Sequence, residues 1–262
     1  MGSGKDVIQG GAVYNSSGVA MIGLAEVVDS LTAIEEFVFG SKAVPFAKMI
    51  EAINHNWKGY EGLLAQVKKL PDKFGGDGPL AKANADWLIK FLHDTLQSQK
   101  NYRGGNYTVG YWTMTTHAGF GAISRALPSG RQDYETFPSG ITPVSGAGLE
   151  LNDVLHFVAN LDHTCITNGQ ALNLKYSPAT AAVPKFAHCV EAYFRMGGLQ
   201  VQSNIVNLET LKKAQKYPDN YPDLFIRVSG YSAYFRDLNP KMQEEIINRA
   251  EYDMNCLAAV PD

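Results

Sequence analysis

Towards its C-terminal end the chain reads Leu224-Phe225-Ile226-Arg227-Val228-Ser229-Gly230-Tyr231-Ser232-Ala233-Tyr234-Phe235. Two short runs rich in β-branched and aromatic residues, typical of strands, lie on either side of a Ser-Gly pair. A glycine between two such runs is typical of a tight turn. The stretch therefore predicts a hairpin with Gly230 at its tip and a loop over about residues 226–236.

Gly230 also permits chemistry that no other residue offers. Its α-carbon carries two hydrogens and no side chain, so loss of one hydrogen atom leaves a planar radical that both flanking amides can delocalise. We expect Val228, Tyr231 and Phe235 to wall the loop tip and to exclude solvent and oxygen, as a radical site requires. The pattern alone favours an ordinary hairpin, and the radical interpretation needs further support.

Outward from this stretch, the hydrophobic spacing predicts an α/β chain. The predicted helices cover residues 22–39, 45–69 with a break at 54–62, 80–99, 152–160, 179–196, 208–216 and 240–254. The predicted strands cover residues 107–115, 172–176, 199–206 and 224–228. Residues 119–148, rich in Gly, Pro and Ser, are predicted to form one long loop, which is unusual inside a compact domain and points to function or to a covered surface.

Composition excludes several classes of protein. The 262 residues are 45% apolar and 19% charged with a net charge of −3, as in a globular protein that can bury a core. No apolar run is long enough to cross a membrane, and no signal-peptide pattern opens the chain. Without a Lys/Arg stripe, nucleic-acid binding is not expected. The three cysteines, Cys165, Cys189 and Cys256, fit a reduced compartment, so a cytoplasmic location is predicted.

Metal and thiol chemistry find little support in the sequence. The six histidines show no metal-binding spacing, so no metal site is predicted. His163 near Cys165 and His188 beside Cys189 could indicate activated thiols, but buried structural thiols are favoured. Gly10-Gly11 lacks the pattern of a phosphate-binding loop and is interpreted as a close-packed turn.

The run from Arg227 to Phe235 resembles the signature of the glycyl radical enzymes, the family of pyruvate formate-lyase. Leu127-Pro128-Ser129-Gly130-Arg131 looks like the Pro-x-Gly-Arg loop of that family. Gly10-Gly11-Ala12-Val13-Tyr14-Asn15 and Asp29-Ser30-Leu31 resemble two further landmarks, and the resemblance covers about residues 4–254. It implies that Gly230 stores the radical and that Arg227, Val228, Ser229 and Tyr231 support the loop.

The resemblance also implies a fold and a set of partners. Residues 1–262 would form a single glycyl radical domain, the C-terminal half of a ten-stranded α/β barrel with the radical loop inserted in it. A radical S-adenosylmethionine activating enzyme would abstract hydrogen from Gly230. The S-adenosylmethionine and the iron–sulfur cluster belong to that enzyme, so apart from the Gly230 radical this chain is expected to bind no cofactor.

The chain departs from the family because it lacks the Gly-Cys loop that bears the thiyl radical. A complementary chain would therefore supply the cysteine, and the protein is expected to be the radical-bearing subunit of a split enzyme that is inactive alone. A second interpretation is a spare part that repairs an oxygen-cleaved enzyme. A third, of another class, is a non-catalytic binding or scaffold protein.

The substrate is expected to be a small organic molecule, and decarboxylase-like or fumarate-adding chemistry is favoured. The resemblance of residues 107–116 to a cavity-lining strand suggests a pocket wall made of Val109, Tyr111, Trp112, Thr115 and His117. Packing of these side chains in the core is an equally good interpretation. Arg131 is expected to hold a loop rather than to touch substrate.

Overall fold

The computed structural model describes residues 2–40, 44–176 and 183–252. Within these ranges the chain forms strands and helices that alternate along much of its length. The strands are β1 (Ser17–Ala20), β2 (Tyr107–Gly110), β3 (Asn173–Tyr176), β4 (Gln202–Ile205), β5 (Phe225–Arg227), β6 (Ser232–Tyr234) and β7 (Glu251–Tyr252). The helices are α1 (Leu24–Ile34), α2 (Phe46–Asn54), α3 (Glu61–Lys68), α4 (Pro79–Gln97), α5 (Thr116–Ile123), α6 (Leu151–Ala159), α7 (Val183–Arg195), α8 (Leu208–Lys216) and α9 (Pro240–Asn248).

Parallel pairing dominates the sheets. Strand β1 pairs with β2, and β3 lies between β4 and β7, all in parallel. Tyr111, just after β2, forms a parallel bridge with Gln170, just before β3. This bridge joins the two sheets side by side. Parallel strands connected by helices confirm the predicted α/β class, whereas closure into a ten-stranded barrel remains a prediction.

Most of the predicted elements are confirmed, including the break between α2 and α3; of the helix predicted over residues 179–196, residues 179–182 lie outside the described residues. Strand β2 is shorter than predicted: it ends at Gly110, and Tyr111 forms only an isolated bridge. Residues 116–123 form α5, which overlaps the start of the predicted long loop. Glycines made α5 hard to recognise. A Cβ on Gly121 would lie 2.4 Å from the Glu135 carbonyl oxygen, so this glycine serves close packing rather than a loop.

The last predicted helix, over residues 240–254, is also too long. Helix α9 begins at Pro240, where Asn239 caps it by accepting a hydrogen bond from the Met242 amide at 3.0 Å, and it ends at Asn248. The chain then continues as β7 and pairs with β3. Pairing with a parallel neighbour, which helical spacing does not show, decided the structure of residues 251–252.

A separate apolar cluster supports the hairpin formed by β5 and β6. Val228, Ile226 and Phe235 from the hairpin pack with Leu211 of α8 and Met242 of α9, and all five are buried. The main core lies elsewhere, beneath α1, α4 and α6. No helix in the described part of the chain is long and apolar enough to cross a membrane.

Helix α1 buries a carboxyl group that should make stability depend on pH. Asp29 accepts a hydrogen bond from the Phe74 amide at 2.7 Å, but its burial raises its pKa to about 7, against the opposing charge of Lys73. A raised pKa means that the folded state retains a proton that the unfolded state loses, so stability falls as pH rises from about 4 to 7. The residue therefore costs stability at pH 8.

We expect Asp29→Asn to stabilise the protein at pH 8 by about 1–3 kcal/mol, because an amide oxygen can still accept the Phe74 hydrogen bond without a buried charge. Urea unfolding at pH 5 and pH 8 measures the effect. Asp94→Asn, which removes an exposed carboxylate 2.8 Å from Lys90, is the control and should change little. Destabilisation of Asp29→Asn at pH 8 would show that the charged form is favoured.

Candidate functional site

The tip of the β5–β6 hairpin is a two-residue turn made by Ser229 and Gly230. The Val228 amide donates to the Tyr231 carbonyl at 2.8 Å, which closes the turn. Gly230 has a φ of +77°, in the left-handed region that favours glycine. The sequence prediction of a hairpin with Gly230 at its tip is therefore confirmed.

Two carboxamide side chains of β4 hold the hairpin. The Asn204 side chain accepts a hydrogen bond from the Arg227 amide at 2.9 Å and donates one to the Arg227 carbonyl at 2.8 Å. It thus pairs with Arg227 in the way that the backbone of a neighbouring strand would. Gln202 Oε1 accepts two hydrogen bonds at 2.8 Å, from the Gly230 amide and from Arg227 Nε. Residues two apart on a strand face the same way, so both side chains reach the hairpin.

A buried ion pair fastens the hairpin from the side of α9. Arg249 Nη2 donates to the Val228 carbonyl at 2.9 Å, while Arg249 binds the Glu245 carboxylate through Nε at 2.9 Å and Nη2 at 2.8 Å. His117 Nε2 lies 3.7 Å from Glu245 Oε2. Burial alone would raise the pKa of Glu245, but Arg249 and His117 outweigh it and hold that pKa at about 2.

A cavity of about 360 Å³ opens beside the turn. Gly230 and Tyr231 form one side of it, and Trp112 and Gln170 form another. The Trp112 indole is fixed by a hydrogen bond to the Asn168 carbonyl at 3.1 Å. The lining side chains are uncharged, and they come from the segment after β2, the segment before β3, the start of β4 and the hairpin.

The α-carbon of Gly230 is open to approach, contrary to the expectation of a shielded tip. Gly230 is exposed, and a Cβ built on it would meet nothing within 4 Å. Val228 and Phe235 do not wall the tip, because both point into the apolar cluster under the hairpin, and Tyr231 packs against that cluster. Within the described residues, nothing covers the tip on its outer side.

The predicted pocket wall is only partly realised. Trp112 lines the cavity, but Val109 and Tyr111 are fully buried in the main core. His117 is buried beside Glu245, and Thr115 is exposed where α5 begins. Val109 and Tyr111 do not line the cavity because their side chains face the main core, and Thr115 and His117 do not because the chain enters α5 there. Residues 112–114, between these two pairs, do line it.

Arg131, which is predicted to hold a loop, and two of the three cysteines lie among the described residues. The Arg131 guanidinium donates to the carbonyls of Arg125, Gly121 and Glu135, so it holds a loop as expected. Cys165 and Cys189 are buried and free, and burial raises the pKa of both thiols. Neither lines the cavity beside Gly230, and Cys256 lies outside the described residues. No group of three or more metal-binding side chains occurs among the described residues.

Sequence reasoning missed the side chains that hold the hairpin. Gln202 and Asn204 lie in a predicted strand, and their spacing of two was a usable signal for one polar face. Glu245 and Arg249 are four apart on the predicted last helix, which is ion-pair spacing. Neither signal indicates contact with residues 227–230, since that contact depends on how β4 and α9 pack around the hairpin.

Two protein-family models match this chain, one in its first half and one in its second. The family model described as "Pyruvate formate lyase-like" matches residues 1–121, and the model described as "Glycine radical" matches residues 137–236. Trans-4-hydroxy-L-proline dehydratase from Clostridioides difficile is 34% identical over 253 residues, which is 95% of this chain and 32% of that protein. The chain thus spans about a third of the length of the curated relatives it matches.

Solved structures of a glycyl radical enzyme and of a related dehydratase have the same fold as this chain. The glycerol-bound B12-independent glycerol dehydratase from Clostridium butyricum superposes with a TM-score of 0.92 at 32% identity, over 96% of this chain and 33% of that one. A glycyl radical enzyme from Archaeoglobus fulgidus gives a TM-score of 0.88 at 33% identity, over 95% and 32% of the two chains. With two matching family models, a shared fold and a glycine at the tip of the signature hairpin, the chain belongs to the glycyl radical enzyme family.

Proposed function

We propose that this chain stores an organic radical on the α-carbon of Gly230 and exchanges hydrogen atoms with a cysteine thiol outside the described residues. The observation that carries the proposal is the open approach to Gly230. Its α-carbon lies at the tip of a tight turn, on the edge of a 360 Å³ cavity, with free space where a side chain would stand. A reacting group can therefore reach the α-hydrogen without rearrangement of the hairpin.

The proposed chemistry is an exchange of single hydrogen atoms. An activating enzyme of the radical S-adenosylmethionine class removes one hydrogen atom from the Gly230 α-carbon. The resulting radical then takes a hydrogen atom from the thiol, which restores glycine and leaves the unpaired electron on sulfur for reaction with a small organic substrate. The role of this chain is to hold the turn and to contribute an uncharged part of the cavity wall.

The thiol is proposed to come from a complementary piece of protein. The cavity beside Gly230 has no cysteine among its lining residues, and the tip is exposed on its outer side. We favour a separate partner chain, as in a split enzyme, whose docking would cover this face and complete the site. A repair part for an oxygen-cleaved enzyme would present the same open tip.

For the reaction itself, we propose a lyase. Two of the relatives described above are dehydratases, which favours carbon–oxygen cleavage over the decarboxylation or fumarate addition expected from the sequence. The Trp112 indole and the carboxamides of Gln170 and Gln202 would contribute an uncharged, hydrogen-bonding wall. Charged groups needed for a charged substrate would have to come from the complementary piece.

Electron paramagnetic resonance tests the stored radical. The chain is incubated without oxygen with an activating enzyme, reductant and S-adenosylmethionine. We expect a doublet from the single remaining α-hydrogen of Gly230, which becomes a singlet when the glycines are deuterated at the α-carbon. Absence of any signal, with an activating enzyme that works on another family member, would overturn the proposal.

A second experiment separates the split enzyme from the repair part. The activated chain is mixed either with a candidate partner chain that carries the thiyl cysteine or with an oxygen-cleaved full-length family member. Turnover only with the partner supports the split enzyme, whereas turnover only with the cleaved enzyme supports the repair part. A stored radical that supports turnover with neither would contradict both catalytic roles.

A further inference from the structure

The Gln202 side chain binds the backbone amide of Gly230 itself. Its Oε1 atom accepts the Gly230 amide hydrogen at 2.8 Å and, at the same distance, the Nε hydrogen of Arg227. The side chain is buried on β4, so water competes little for these bonds. Of the side-chain contacts described for the hairpin, this one holds the peptide group directly attached to the proposed radical carbon.

The direction of that peptide group matters to a radical on Gly230. The half-filled orbital of the α-carbon overlaps fully with the neighbouring amide only when the two are coplanar, which occurs at a φ near 180° or near 0°. The observed φ of +77° is instead close to perpendicular. The angle at which the amide is held therefore decides how much of the unpaired electron remains on the α-carbon.

We propose that Gln202 is a positioning residue that fixes the Gly230 amide and thereby sets the spin distribution of the stored radical. The inference rests on the proposed function. Arg227 contributes by donating to the same oxygen, which keeps Oε1 in place, and its guanidinium also reaches Ser232 Oγ at 3.4 Å. The bond to a group carrying a formal charge is stronger than a neutral one, so the arrangement is stiff.

Asn204 provides a matched comparison. It is also a buried carboxamide on β4, two residues away, and it also clasps the hairpin, but it binds the Arg227 backbone instead of the Gly230 amide. Loss of either side chain should loosen the hairpin. Only loss of Gln202 should release the amide of Gly230, and this difference separates a positioning role from general support.

The first measurement needs no radical. In the full chain labelled with ¹⁵N-glycine, the Gly230 resonance is assigned by its absence in Gly230→Ala, and its amide exchange is followed by NMR. We expect about tenfold faster exchange in Gln202→Leu, since one buried hydrogen bond is lost. Asn204→Leu should leave this exchange within about twofold, and Gln202→Glu, which retains an acceptor oxygen, should restore protection.

The second measurement is the electron paramagnetic resonance spectrum of the activated chain. We expect Gln202→Leu to show a doublet whose splitting differs from that of the parent, whereas Asn204→Leu and Gln202→Glu retain the parental splitting. An unchanged splitting in Gln202→Leu would overturn the inference, and so would an identical change in Asn204→Leu. No doublet in the parent would instead overturn the proposed function, while the exchange measurement would still test the hydrogen bond.

Discussion

Replacement of Gly230 by alanine is expected to abolish the radical signal and leave the fold intact. An alanine α-carbon bears a methyl group in place of one of the two hydrogens, which hinders a flat radical and obstructs the approach to the remaining hydrogen. A Cβ at this position meets no atom within 4 Å, so the substitution brings no clash. The remaining cost is that of a left-handed φ, about 1–2 kcal/mol.

Two readouts check this expectation. The variant should show no doublet after activation, and oxygen should no longer shorten the activated chain by cleavage near residue 230. Gly104→Ala is the control, because Gly104 has a φ of +83° and equally open surroundings but lies in a turn before β2. It should lose similar stability and retain the signal. A parental doublet in Gly230→Ala would refute Gly230 as the storage site.

Replacement of Arg249 by methionine is expected to cause the largest loss of stability, about 3–5 kcal/mol. Methionine fills a similar volume, but it leaves the buried Glu245 carboxylate with only His117 beside it and the Val228 carbonyl without its Arg249 donor. Urea unfolding of variant and parent at pH 7 gives the difference. The radical yield should fall as well, because the Val228 carbonyl beside the turn loses its hydrogen bond to the end of α9.

The chain contains a matched control for this pair. Glu191 and Arg195 are also four residues apart on a helix, with 2.6 Å between Arg195 Nη2 and Glu191 Oε1, but both side chains are exposed. Arg195→Met should therefore cost less than about 0.5 kcal/mol. Equal costs for Arg249→Met and Arg195→Met would show that burial does not strengthen the pair at α9. If Arg249→Met does not fold, the milder Glu245→Gln still tests the pair.

The same pair should protect the protein against acid down to a low pH. The pKa of Glu245 lies at about 2 in the folded chain, below its usual value of about 4.5. Because a lowered pKa gives stability that is present above the unfolded value, this contribution is lost as pH falls from about 4.5 to 2. We expect Glu245→Gln to remove that part of the acid transition in unfolding curves measured across this range, and an unchanged transition would contradict the assignment.

Much of the fold could be predicted from hydrophobic spacing. The long helix α4 and the paired helices α2 and α3 show regular apolar spacing, and local pattern suffices for such elements. Helix α5 and strand β7 could not be predicted because packing with distant residues decides them. Gly121 is needed in α5 because a side chain there would collide with the Glu135 carbonyl, which its spacing in the sequence does not show. Residues 251–252 are a strand because they pair with the edge of β3.

In the candidate site, too, the features that are local in sequence could be predicted and those that depend on distant residues could not. Gly230 and the hairpin could be predicted, since the turn is local in sequence. The residues that hold it could not, because Gln202 and Arg249 reach it from β4 and from the end of α9. The predicted wall of Val109, Tyr111, Thr115 and His117 assumed that one strand runs along the cavity. Instead Val109 and Tyr111 face the main core, residues 112–114 line the cavity outside a strand, and the chain then enters α5.

The position of β7 has a mechanical consequence for the hairpin. The segment that carries Gly230 is anchored before it by β4 and after it by β7, and both strands pair with the same strand, β3. The hairpin is therefore not a swinging tail. A bulky enzyme can reach Gly230 in one of two ways. Either the enzyme binds at the exposed tip, or β7 detaches from β3. Detachment breaks the two-residue ladder of β7 and the hydrogen bond from Lys175 Nζ to the Ile247 carbonyl at 2.9 Å. This short ladder is the weaker of the two anchors, so opening would begin at the C-terminal side.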